Sequence, residues 1–129
     1  MQIKNKIVLI GICFFSIVAF NLNLHAEEFD ISAKEIFIDK ANDIVVGKGS
    51  VEVIDSGGKI IKADKVTYEK SKEFLHAEGS VEVFDTKGNV LTTDRATYNK
   101  IKEIIITYEN SELTLKEGYK LTSNRIVYN

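Results

Sequence analysis

The sequence predicts an all-β fold of stacked antiparallel hairpins, on three observations. A 30-residue unit recurs without gaps, apolar side chains alternate at period two inside each unit, and no long stretch carries helical period. The repeat is read directly by alignment. Ala33-Lys-Glu-Ile-Phe-Ile-Asp-Lys matches Ala63-Asp-Lys-Val-Thr-Tyr-Glu-Lys, then Thr93-Asp-Arg-Ala-Thr-Tyr-Asn-Lys, then Ser123-Asn-Arg-Ile-Val-Tyr-Asn. The same step links Ile31, Ile61, Leu91 and Leu121, and also Gly58, Gly88 and Gly118. Gly49-Ser-Val-Glu-Val-Ile-Asp against Gly79-Ser-Val-Glu-Val-Phe-Asp is the longest match.

The chain opens on a leader. Lys4 and Lys6 precede the apolar run Ile7–Phe20, and a short polar stretch leads to Ala26. A charged start, an apolar middle and a small residue before an acidic flank form a secretory signal peptide. The run is short of the roughly 20 apolar residues that a membrane helix needs. The expected division is a signal peptide over 1–26 and one β-repeat domain over 27–129. An uncleaved anchor is the alternative, and lipid attachment at Cys13 is disfavoured because Ile12, not a small residue, precedes it. Beyond the leader there is no cysteine, so no disulfide can brace the domain. There remain 15 basic and 19 acidic side chains, interspersed, a formal charge near −4. That balance offers no footprint for nucleic acid.

Within a repeat the outgoing strand carries Val51 and Val53, or Val81 and Val83, on one face. Counting back by twos adds Val45, Gly47 and Gly49 in one copy, and Leu75, Ala77 and Gly79 in the next. The glycines mark a bulge or close backbone approach. Asp55-Ser-Gly-Gly-Lys and Asp85-Thr-Lys-Gly-Asn then supply hairpin turns, since glycine accepts positive φ. The return strand covers about 59–69 or 89–99, and it changes phase. Ile61 and Ala63 share one face while Val66 and Tyr68 share the other, with Asp64 between them. Asp94 and Asn124 hold the same place in later copies. A repeated phase change at a short polar residue predicts a corner at which one strand passes between two sheets. The alternative leaves Tyr68, Tyr98 and Tyr128 facing solvent as edge aromatics.

Candidate chemistry is sparse. His76 is the one histidine after the leader, and it stands where other copies have Val46 and Ile106, which makes it a strand substitution. A His/Cys metal cluster cannot be assembled from that inventory. Paired carboxylates would suit glycan cleavage. Asp64/Asp94, Asp55/Asp85 and Glu52/Glu82 are repeat-equivalent, however, with Asn124, Leu115 and Glu112 in the next copy. Acids that recur with the repeat read as turn and outward-face residues. No catalytic residue, metal or cofactor is expected.

The run Ile61-Lys-Ala-Asp-Lys-Val-Thr-Tyr-Glu-Lys followed by Gly79-Ser-Val-Glu-Val, behind a leader, resembles the OstA-like family of lipopolysaccharide-transport proteins, the LptA and LptD N-terminal periplasmic domain type. The resemblance covers about residues 29–129. It implies a β-jelly-roll whose two sheets form an open V-shaped apolar groove for the acyl chains of lipid A. It further implies a periplasmic place, at or near the outer membrane, and stacking through edge strands on other lipopolysaccharide-transport proteins or on further copies. The groove wall would be Val45, Val51, Val53, Leu75, Val81, Val83, Ile105 and Leu113, whose other role is plain core packing. The fourth copy stops at Asn129 in mid-repeat, which leaves open an LptD-like N-terminal portion and a complete LptA-like protein. The competing function is a structural β-solenoid, a scaffold or adhesin module of the cell envelope, with a closed core and no lipid.

Overall fold

The computed structural model describes residues 29–129, so the leader expected over 1–26 lies outside the described residues. Ten strands follow one another: β1 Phe29–Ser32, β2 Glu35–Asp39, β3 Ile44–Asp55, β4 Ile60–Glu69, β5 Phe74–Phe84, β6 Val90–Asn99, β7 Ile104–Tyr108, β8 Ser111–Thr114, β9 Lys120–Ser123 and β10 Val127–Tyr128. A single 3-10 turn, Lys70–Lys72, joins β4 to β5. All the pairings are antiparallel, as successive hairpins require.

Every long strand is interrupted at one place, and the interruptions line up. The β3–β4 register shifts between Lys48 and Val51, the β4–β5 register between Lys62 and Lys65, and the β5–β6 register between Glu78 and Val81. The outgoing strands make this corner with Gly49 and Ser50 (φ 83° and 46°) and with Gly79 and Ser80 (φ 83° and 46°). The third copy has Glu109 and Asn110 there (φ 66° and 46°), and its outgoing strand divides into β7 and β8. Return strands cross the line at Asp64, Asp94 and Asn124. The corner expected from the phase change is therefore present, and the edge-aromatic alternative is not: Tyr68 and Tyr98 are buried and Tyr128 is half-buried.

The fold line divides the strands into two layers. One layer holds β1, the second half of β3, the first half of β4 and their equivalents through β8 and β9. The other holds β2, the first half of β3, the second half of β4 and their equivalents through β7 and β10. That the layers face each other follows from contacts no flat sheet could make. Phe29 of β1 stacks edge-on against Tyr68 of β4, and Tyr98 of β6 bonds to Asp55 of β3.

Side-chain size sets the angle between the layers. Beside the fold line the inward positions are Gly47, Val51, Ala63, Val66, Ala77, Val81, Thr93, Ala96, Thr107 and Ser111, none larger than valine; at the far rim they are Phe29, Val45, Tyr68, Leu75, Tyr98 and Ile105. Small residues let backbones converge and large ones hold them apart, so close packing produces a V. Between lie continuous rungs. Ile31, Val53, Ile61, Val83, Leu91, Leu113 and Leu121 are successive partners across one layer. The structure is thus the expected antiparallel β-jelly-roll, an open V that does not close into a barrel.

Candidate functional site

The inner face of the V is an extended apolar surface. Val51, Val53, Val81, Val83 and Leu113 project from one layer, and Val45, Leu75 and Ile105 from the other, so the structure brings all eight expected wall residues to the same interior. All but Val45 are buried; Val53 has no exposed surface and Leu75 has 1%. The middle of the V is therefore filled by its own side chains.

The V is open at its N-terminal end. A cavity of about 290 Å³ is lined by Phe29, Asp30, Ile31, Ile36, Val45, Tyr68 and Lys70. Among the described residues β2 is an edge strand, so Ile36 and Ile38 face inward with no further described strand beside them, at 46% and 65% exposure. Of the expected wall residues, only Val45 lines this space. The others of its lining escaped sequence reasoning except as repeat positions. The available signal was Ile31, whose equivalents Ile61 and Leu91 are plainly core.

The rim opposite the fold line, the mouth of the V, is spanned by polar bonds that the sequence reading did not foresee. Asp55 is the turn residue that the repeat predicts: its Oδ1 accepts from the backbone N–H groups of Gly57 and Lys59, both at 2.9 Å. Its other oxygen accepts a 2.8 Å hydrogen bond from the Tyr98 hydroxyl of the opposite layer. Lys100 Nζ lies 3.8 Å from that same oxygen, and Lys59 Nζ sits over the Tyr98 ring at 4.7 Å. One repeat on, Tyr128 donates to Asp85, whose Oδ1 accepts from the N–H groups of Lys87 and Asn89 at 2.9 Å. Burial by itself would raise the Asp85 carboxyl, but donation from Tyr128, Asn89 and Lys87 outweighs it and holds the group at about 2. Tyr128 is pushed up, first by burial and then by its bond to that carboxylate.

The remaining candidates lie outside the V. His76 points outward and meets the Phe74 ring edge-on at 4.9 Å. Glu52, Lys62 and Glu82 are successive outward neighbours across three strands, an alternating-charge rung. Asp94 accepts from Asn110 at 2.7 Å at the fold line. No group of three or more His, Cys, Asp or Glu could hold a metal ion among the described residues.

No family model matches the sequence, and no curated protein matches it. Solved structures do match. One is LptH, described as the LptA homologous periplasmic component of the conserved lipopolysaccharide transport device from Pseudomonas aeruginosa. It aligns with a TM-score of 0.70 and 16% identity, over 78% of this chain and 74% of that chain. At that identity the likeness is one of architecture, and this chain shares the β-jelly-roll fold of LptH.

Proposed function

We propose that this chain is a lipopolysaccharide-binding module of the cell envelope, a non-enzymatic carrier whose V receives acyl chains of lipid A. The observation that carries the reading is the apolar interior opening at its N-terminal end, where Phe29, Ile31, Ile36, Val45 and Tyr68 surround a cavity large enough for part of a chain. Each methylene moved there from water contributes about 0.8 kcal/mol, and Lys70 at the lining supplies a cation for an anionic headgroup. The fold shared with LptH, a component of a lipopolysaccharide transport device, points the same way. On this reading Val51, Val53, Leu75, Val81, Val83, Ile105 and Leu113 are the deeper wall along which a chain would pass. The leader over 1–26 would deliver the domain to the periplasm.

Both ends of the stack suit docking. Ile36, Phe37 and Ile38 are exposed on β2, and Leu121 and Val127 on β9 and β10, beside strand edges that a like module could extend. The reading embraces an LptA-like bridge and an LptD-like N-terminal domain alike.

The test is photo-crosslinking of the purified protein to lipopolysaccharide. A photoreactive residue at Ile36, facing the cavity, is expected to capture lipid; one at Phe37, the outward neighbour on the same strand, is not. A folded protein that captures nothing at Ile36 or Val45 would overturn the proposal in favour of the envelope scaffold, which the packed middle of the V would suit.

A further inference from the structure

The rim of the V carries a repeated polar tie whose placement is mechanical. Tyr98 and Asp55 are 43 residues apart, and Tyr128 and Asp85 are separated by the same 43, so the pair is a property of the repeat. Each pair joins the tip of one layer to the tip of the other. From the fold line at Ser50 to Asp55 the strand advances about 16 Å, at roughly 3.3 Å per residue. A bond at that distance acts with the longest lever available and limits how far the layers can part. Burial strengthens it. Asp55 is 7% exposed and Tyr98 2%, Phe29 packs edge-on against the Tyr98 ring at 5.8 Å, and Lys100 stands beside the carboxylate with little exposure of its own.

We propose that the Asp55–Tyr98 and Asp85–Tyr128 pairs are clasps that hold the mouth of the V shut, so that an acyl chain enters at the open N-terminal end and reaches the deeper wall only when a clasp parts. The inference rests on the lipid-carrier reading and adds the residues that regulate access. Tyrosine suits the task because its ring completes the apolar lining while its hydroxyl donates to the carboxylate. Asp55 and Asp85 keep their turn hydrogen bonds on Oδ1 when the clasp opens, since the tie uses the other oxygen. Opening therefore leaves the hairpin intact. The third hairpin has Leu115 at this position and cannot form the tie from its own tip.

The experiment uses the whole protein with spin labels at Ser56 and Ile101, exposed positions next to Asp55 and Lys100 on opposite sides of the mouth. Distances are compared between parent and Tyr98→Phe/Tyr128→Phe, with far-ultraviolet circular dichroism to show that the β fold is retained. The expected result is a longer and broader distance distribution in the variant. With it should come a rise of at least about two- to tenfold in lipopolysaccharide crosslinking from a photoreactive residue at Leu75, the shift that losing one of the two hydrogen bonds would already produce. Crosslinking at Ile36 should stay unchanged. An unchanged distance in the folded variant would overturn the clasp. A widened mouth with no gain at Leu75, while Ile36 still captures lipid, would overturn its control of access. Absence of lipid at both positions in parent and variant, whatever the distance does, would instead overturn the carrier reading and this inference with it.

Discussion

Individual residues at the fold line show what the repeat demands and where it is violated. Gly79 has φ 83°, and a Cβ added there would lie 2.9 Å from the Asp64 Cβ and closer still to its carboxylate. Gly79→Ala is therefore expected to lower stability by about 1–3 kcal/mol, measured as a fall in the urea midpoint. The third copy supplies the converse, because Glu109 occupies the glycine position with φ 66°. Glu109→Gly should raise stability by about 0.5–1 kcal/mol, the relief of a left-handed backbone less the added freedom of the unfolded chain. Asp85 gives a pH-dependent counterpart. Its folded value near 2 lies below the ordinary 3.8, so its contribution is complete above 3.8 and is lost as pH falls toward 2. Tyr128→Phe removes one of the donors responsible. The stability gap between this variant and the parent should be wide at about pH 6 and narrow at about pH 2, as read from urea curves at both.

At the scale of elements, the middle hairpins and the edge strands have different duties. Among the described residues β4, β5 and β6 are paired along both layers, whereas β2 has a partner only on the β3 side and β9 only on the β8 side. Backbone amides of the paired strands should exchange slowly and those of β2 and β9 quickly, in native-state hydrogen exchange. If the edges dock like modules, Ile38→Lys should abolish any concentration-dependent rise in mass seen by light scattering for the parent. Ile38 is 65% exposed, so the change leaves the core intact while charging the edge. The corner itself was legible at this scale. Alternation reverses between Ala63 and Val66, and a strand whose inward face changes within three residues must turn there, as the register shift between Lys62 and Lys65 confirms.

Residues 29–129 form a wedge whose shape follows from residue size, with alanines, valines and a glycine at the apex and tyrosines at the mouth. A wedge held by packing along one line and by hydrogen bonds along the opposite rim can open without losing its strand ladders. On the proposed lipid-carrier reading that property would serve release of an apolar cargo, since deep enclosure would hold each methylene too firmly.

The sequence by itself determined the all-β class, the 30-residue hairpin, the corner and the inward placement of the eight residues expected to line the V. These are local: strand alternation assigns a face, glycine and aspartate assign the turns, and the repeat copies both assignments along the chain. Only the tertiary structure decided which residues meet across the V. Alternation says that Asp55 and Tyr98 both point inward, but whether they touch depends on the angle and twist between the layers, which the packed side chains set together. The cavity at the N-terminal end has the same origin, because it is the space left where, among the described residues, the stack presents an inner face with no repeat laid over it.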